Sequence, residues 1–137
     1  MLLDHGYGNL HIFSTTPNIN DIINPSEIKF LIIQFYDKVD LSPNHNITIL
    51  QDGGIYGNIC NYGIIRQITS VSHNNEDFVK IIDDYTIKIK VINSTFNQPN
   101  TMYYILMDDG FVKSKDLQEP ILGIQDNAWN FMTSKLL

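Results

Sequence analysis

Residues 85–91, Tyr-Thr-Ile-Lys-Ile-Lys-Val, alternate apolar and polar side chains without a break. A period of two puts each set on its own face of an extended chain, so this segment predicts a half-buried strand. Asp83 and Asp84 ahead of it predict a turn, because Asp bonds to nearby backbone and tolerates left-handed φ. Residues 46–50, Asn-Ile-Thr-Ile-Leu, alternate similarly and run into Asp52-Gly53-Gly54, a second turn signal. Residues 28–36, IKFLIIQFY, are apolar almost throughout, which suits a strand covered on both faces or a buried helix. Their β-branched and aromatic content, and Pro25 before them, favour the strand. Further strands are expected at 9–14, 63–72, 101–107 and 128–133, while 78–82 fits no pattern cleanly. No helical period persists beyond two turns. About seven short strands with turns between them indicate an all-β, antiparallel sandwich or barrel. Residues 1–8 fit the pattern poorly and read as a lead-in or linker to one domain over 9–137.

Composition adds limits to this picture. A chain of 137 residues, 43% hydrophobic and 18% charged, is one domain with a full core. Its net charge of -6 and scattered basic residues, of which only Lys113 and Lys115 lie close together, argue against a nucleic-acid partner. No segment reaches the roughly 20 apolar residues of a membrane-spanning helix. Met1-Leu2-Leu3 runs at once into Asp4 and His5, so no signal-peptide pattern is visible. The chain holds 22 Ile and 15 Asn against a single Ala, which an AT-rich coding sequence explains and which takes weight from any argument based on Asn abundance.

In order, the segments resemble the SbsA-type Ig-like domain of bacterial surface-layer and other surface proteins. FSTTPNINDIINP matches its opening strand and Pro turn. EIKFLIIQFYDKVDLSPNHNITIL carries Phe35, Asp37 and Val39 where the family has its second strand, and Asn46-Ile47-Thr48-Ile49 where the next begins. DDYTIKIKV is similar to the mid-domain strand. TMYYILMDDGFVKSKD is similar to the Tyr-strand-Gly segment, with Tyr103, Gly110 and Val112 in place. Gly123 and Trp129-Asn130-Phe131-Met132-Thr133 match the closing strand, whereas Leu117-Gln118-Glu119-Pro120 departs from the usual Gly-Asn turn. The resemblance implies an antiparallel Ig-like β-sandwich, one module of a longer extracellular or cell-surface protein. It would serve in adhesion or as a spacer, with a surface protein or neighbouring modules as partner. Trp129 and Phe131, two apart, would face the core.

Candidate chemistry is sparse. His5, His11, His45 and His73 have no His or Cys neighbour at ligand spacing, so no structural zinc site is legible. Cys60 reads as a small buried hydrophobe or, with a His near it in space, a nucleophile. Asp52-Gly53-Gly54, Asp83-Asp84 and Asp108-Asp109-Gly110 read as turns or as loop oxygens for calcium, for which Asp108, Asp109 and Asp52 are the candidate ligands. Calcium at loops and module junctions of surface-layer proteins is consistent with the resemblance. Adjacent residues in extended chain point to opposite faces, which argues against Asp108 and Asp109 as a joined pair. GIYGNICNYG predicts a Gly-rich hairpin whose Tyr56 and Tyr62 offer a contact patch for a partner or a carbohydrate. Asn93-Ser94-Thr95 and Asn46-Ile47-Thr48 are glycosylation sequons, relevant only to a protein secreted in a eukaryote. No constellation points to catalysis. A carbohydrate-binding accessory module, favoured by Tyr7, Tyr56 and Tyr62 in one patch, and a small hydrolase with a buried acidic site are the alternatives.

Overall fold

A computed structural model describes residues 3–53, 55–56, 59–60, 63–71 and 77–135, with only the backbone described at 55–56 and 59–60. The early strands are β1 (Ile12–Thr16), β2 (Ile22–Ile23), β3 (Phe30–Phe35), β4 (Val39–Leu41) and β5 (Asn46–Gln51), with a 3-10 turn at Pro25–Glu27. The two-residue β6 (Ile55–Tyr56) and β7 (Ile59–Cys60) follow, then β8 (Ile64–Ser70), β9 (Val79–Ile81) and β10 (Thr86–Lys90). The chain closes with β11 (Met102–Met107), β12 (Val112–Ser114) and β13 (Ile124–Thr133).

Two sheets form, in strand order β1-β3-β10-β9 and β2-β13-β11-β5-β8, with β12-β4 and β6-β7 as separate pairs. Pairing is antiparallel except between β13 and β2. These two sheets and the β4/β12 ribbon hold eleven strands among the described residues, where about seven are expected from the sequence pattern. The additions, β2, β4, β9 and β12, are two or three residues long. A period of two has no room to declare itself over that length.

The inner faces of both sheets meet in one core. Leu31, Ile33 and Phe35 of β3 and Ile87 and Ile89 of β10 face Ile47, Ile49, Tyr103, Ile105, Trp129 and Phe131 of the other sheet, all buried. This is an antiparallel β-sandwich, and its first sheet has the A-B-E-D order and its second the G-F-C order of immunoglobulin-type sandwiches. Tyr103 stands near the start of β11, and its hydroxyl accepts a hydrogen bond from the Gln98 backbone N–H at 3.2 Å, five residues upstream. A Tyr that closes on the backbone of the preceding corner is a feature of that architecture. Phe96, from the turn after β10, packs edge-on against Tyr103 at 4.9 Å and Phe131 at 5.5 Å.

Trp129 and Phe131 occupy the inner face, as their spacing predicts. The Trp129 indole N–H also donates to the Pro17 carbonyl at 2.8 Å, tying β13 to the turn that follows β1. Trp129→Phe would empty part of this site and leave the Pro17 carbonyl with the Thr15 hydroxyl, 2.9 Å away, as its remaining donor. The expected loss is about 2 kcal/mol, combining a lost hydrogen bond worth about 1 kcal/mol with the cavity left by the smaller ring. Urea unfolding would check it, and a midpoint equal to wild type would refute the role of the bond.

Two strand starts differ from expectation by three residues or more. The first strand begins at Ile12 rather than Asn9, because the buried Asn9 side chain donates to the Leu122 and Gly123 carbonyls at 2.6 and 3.2 Å. The last strand begins at Ile124, four residues before the expected start, and it passes through Asp126 and Asn127 at φ 54° and 60°. Positive φ at two polar residues breaks the alternation that a sequence pattern needs. The lead-in also joins the domain. Asp4 Oδ1 accepts from the Gly6 and Tyr7 N–H groups at 2.8 and 2.9 Å, and Tyr7 is buried with its hydroxyl 2.6 Å from Thr15 Oγ1.

Candidate functional site

The corner at Asp108-Asp109-Gly110 follows from how β11 ends. Asp108 N donates to the Asn46 carbonyl at 2.9 Å, and Asn46 N donates back to Asp108 Oδ2 at 2.7 Å. The last residue of this run is thereby locked to the start of β5. Phe111 N donates to the Asp108 carbonyl at 3.1 Å, closing a four-residue turn, and Gly110 sits in it at φ 83°. Asp109 turns the other way, and its Oδ1 accepts from Gly123 N at 2.8 Å. Each carboxylate therefore caps a different backbone N–H group, and the two do not form a pair.

Asp52 lies beyond the opposite end of β5, where its N–H donates to the Met102 carbonyl at 2.9 Å. Six strand residues at about 3.4 Å each separate it from the Asp108 corner by about 20 Å. The three candidate calcium ligands do not converge. Among the described residues no group of three or more His, Cys, Asp or Glu side chains is placed to hold a metal ion. Asp108→Ala is expected to cost about 1 kcal/mol, the scale of an exposed charge-assisted hydrogen bond. The same loss with and without added calcium in thermal unfolding is expected, and a calcium-dependent loss would point to a cation at this corner.

The other sequence candidates are spread over the molecule. The hairpin expected at 54–63 is present as the β6/β7 pair, with Ile55 opposite Cys60 and Tyr56 opposite Ile59. The side chains of Tyr56 and Cys60, and all of Tyr62 and His73, lie outside the described residues. Tyr7 is in the core and cannot contribute to a surface patch. Asn93 is exposed in the turn after β10, and Asn46 is exposed at the first position of β5. His11 lies at the surface with Nδ1 3.0 Å from Asp37 Oδ2. His5 Nε2 is 2.7 Å from the Tyr36 hydroxyl, and Phe13 packs edge-on to Tyr36 at 5.3 Å. Beside this cluster a groove of about 480 Å³ is lined by His11, Tyr36, Asp37, Tyr85, Glu119 and Ile121, among others.

Burial raises the Tyr7 hydroxyl above its ordinary value of 10.0, outweighing the lowering effect of its bond to Thr15, and raises Tyr103 likewise. The unfolded chain then ionises first. Stability from these hydroxyls is whole below about pH 10 and falls as pH rises through the raised values. Replacing Tyr7 and Tyr103 in turn by Phe should remove, from an absorbance titration of the folded protein, ionisation that lies above pH 10.0. Removal of ionisation at or below that ordinary value would contradict this. At the surface, the bond to Asp84 at 3.1 Å holds the Lys115 ammonium above its usual range.

The outer faces of the two sheets differ in chemistry. On the four-stranded sheet Lys88 stands opposite Lys80, and Lys90 opposite Phe30. Lys88 Nζ lies 3.8 Å from the centre of the Phe30 ring, and Lys90 Nζ 5.4 Å from that of Phe78. Like charges directly opposite each other are unfavourable, so the aromatic rings help hold this basic cluster. Sequence reasoning misses it because Lys80 joins Lys88 and Lys90 only through strand pairing. Their alternation along β10 is the available signal.

On the five-stranded sheet the outward positions form three cross-strand rows. The first is Ile22, Met132 and Met102, and the second Asn130, Tyr104, Leu50 and Ile65. The third is Leu106, Thr48 and Ile68. These rows are uncharged within the strands, but Asp52, whose N–H donates to the Met102 carbonyl, extends the first, and Asp108 stands across from Asn46 and Ser70 beside the third. Ile22, Ile65 and Ile68 are 75%, 58% and 55% exposed.

No family model matches the chain, and no curated protein or solved structure matches it.

Proposed function

We propose that this chain is a non-catalytic Ig-like module of an extracellular or cell-surface protein, serving in adhesion or as a structural spacer. The observation that carries the reading is the filled interior. Both inner faces are closed by large apolar side chains, and the chemistry-bearing residues among those described are dispersed over the outside. Such a scaffold works by presenting rigid faces and loops to a protein partner or to neighbouring modules of the same chain. If the source is a eukaryote, exposed Asn93 is its glycosylation site, and any calcium would bind at the surface corners.

The test is protease treatment of intact source cells, followed by detection of this chain. Cleavage before lysis is the expected result. Full protection until lysis would overturn the location and with it the adhesive role.

A second reading, carbohydrate contact, is favoured by the groove where Tyr36 and Tyr85 stand beside Asp37 and Glu119. Ring faces and carboxylates offer a sugar both stacking and hydrogen bonds. Glycan-array binding that Tyr85→Ala abolishes would support it, and no binding by the wild-type protein would dismiss it.

A further inference from the structure

We infer that the lysine cluster on the outer face of the four-stranded sheet binds a compact anion of two negative charges, of the phosphate monoester class. Lys80, Lys88 and Lys90 line one hollow of about 260 Å³ together with Phe30 and Asp77. Strand pairing assembles them: Lys88 stands opposite Lys80, and Lys90 follows two residues later on the same face. Packing then positions the ammonium groups. Lys88 is half-buried with its Nζ over the Phe30 ring, and Lys90 Nζ lies over Phe78. A ring attracts a cation without neutralising it, so N–H donors of each ammonium remain for an oxyanion. Among the described residues no carboxylate pairs with Lys88 or Lys90, and Lys80 has only Asp77, 3.6 Å away. The Asp77 side chain is 87% exposed, and an ion pair so open to water contributes little, so it yields readily to a stronger anion.

Charge selects the occupant. The chain has 15 acidic and 9 basic residues, so a hollow with three lysines and one aspartate runs against its overall balance. Like charges directly opposite each other weaken a sheet, and an anion seated between them relieves that cost. Three ammonium groups against one carboxylate leave the hollow at +2, which a dianion matches and a monoanion only half neutralises. Lysine meets phosphate as a point charge, through charge-assisted bonds about twice as strong as neutral ones. Size argues for a compact ligand. A membrane or a nucleic-acid duplex would come within the screening length of about 8–10 Å of the acidic remainder of the molecule, which repels it. A small anion meets only the local positive field. The inference stands apart from the cell-surface and carbohydrate readings, because the groove at Tyr36 and Tyr85 shares no residue with this hollow.

NMR titration of the purified protein with methyl phosphate, inorganic phosphate and methyl sulfate, at constant ionic strength, tests this. Methyl phosphate should shift the signals of Lys80, Lys88 and Lys90 with a Kd of about 1–10 mM. Methyl sulfate, the same size with one charge, should bind at least about fivefold more weakly. Lowering the pH from about 7.5 to about 5 should weaken methyl phosphate and leave methyl sulfate unchanged, because the second ionisation of a phosphate ester lies near about pH 6. Lys80→Gln and Lys88→Gln should each weaken methyl phosphate at least about fivefold, and Asp77→Asn should tighten it about twofold. Lys113→Gln, on the β4/β12 ribbon, should change nothing. These side chains are exposed or half-buried, so the variants are expected to fold, which circular dichroism checks. Tighter binding of methyl phosphate than of inorganic phosphate would identify an ester as the ligand, and equal binding the free ion. No shift with either phosphate up to about 50 mM would overturn the assignment. So would binding that neither Lys80→Gln nor Lys88→Gln weakens, or methyl sulfate binding as tightly as methyl phosphate.

Discussion

Gly123→Ala is expected to destabilise the fold by about 4 kcal/mol or more, a loss reserved for changes that the surrounding structure cannot absorb. The backbone at Gly123 lies directly on the end of β11. A Cβ there would stand 1.8 Å from the Met107 carbonyl oxygen and 2.7 Å from the Asp108 carbonyl carbon. Both are backbone atoms, so no rotamer change relieves the contact. Neither chain is free to retreat. Met107 is paired with Ile47 on one side and Ile124 on the other, and Gly123 N donates to Asp109 while its carbonyl accepts from Asn9. A shift of more than 1 Å, which about 3 Å of non-bonded separation would demand, breaks several of these bonds together.

Gly8→Ala provides the comparison. Gly8 has φ 66°, and a methyl group added there would find nothing within 4 Å, so the same substitution meets conformational strain alone. Its cost should be about 1–2 kcal/mol, the penalty for placing an ordinary residue in the left-handed region. Urea unfolding followed by Trp129 fluorescence would compare the two. Equal losses would mean that the close approach at Gly123 is not what the site requires.

The parts of the fold legible in the sequence are those where one local signal is strong. Residues 85–91 announce β10 because Ile87 and Ile89 are buried and Lys88 and Lys90 are not. Trp129 and Phe131 fall on the inner face for the same reason. The turn at Asp108-Asp109-Gly110 is equally visible, since Gly110 does take positive φ. What stays hidden depends on pairing between distant segments. Nothing near Asp109 in sequence announces that it caps Gly123, and nothing near Asp52 shows that it lies a strand's length from Asp108. Tyr7, in a stretch without alternation, reaches the core through a turn made by Asp4.

β8 is the clearest case of a pattern that misleads. Its sequence, Ile-Ile-Arg-Gln-Ile-Thr-Ser, gives neither face a consistent character, and an irregularity opposite Ile49 and Leu50 shifts the register near Arg66. The result is inverted: Ile65 and Ile68 point outward, while Gln67 and Thr69 are buried. A rule that sends apolar residues inward would have assigned this strand the wrong way round.

Gln67 explains why the inversion is tolerated, and Gln67→Ala is expected to cost about 4 kcal/mol, because it strands several buried partners that lose about 1–3 kcal/mol each. Its amide nitrogen donates to Thr69 Oγ1 at 2.9 Å and to the Lys90 carbonyl at 2.8 Å. Its amide oxygen accepts from Ile92 N at 3.0 Å and from Thr95 Oγ1 at 2.9 Å. All four bonding positions of a primary amide are therefore used. Because β8 belongs to one sheet and Lys90 ends a strand of the other, this one side chain joins the two layers and fixes the turn that delivers Phe96 to the core. Gln67→Leu should fare no better than Gln67→Ala, since it orphans the same groups and excludes any water that could replace the amide. Gln67→Glu keeps the acceptors, has one donor when protonated and none when ionised, and buries a carboxyl whose pKa burial raises. Its stability should be greatest below about pH 4, the unfolded value, and should fall as pH rises through the folded value. Arg66→Ala is the control. Its guanidinium bonds to the Ser94 and Thr95 carbonyls and Asn97 are exposed or half-buried, so water can replace them at a cost of about 1 kcal/mol. Urea midpoints for the four variants decide the matter: a Gln67→Leu protein as stable as wild type would show that apolar packing alone holds the sheets together at this edge.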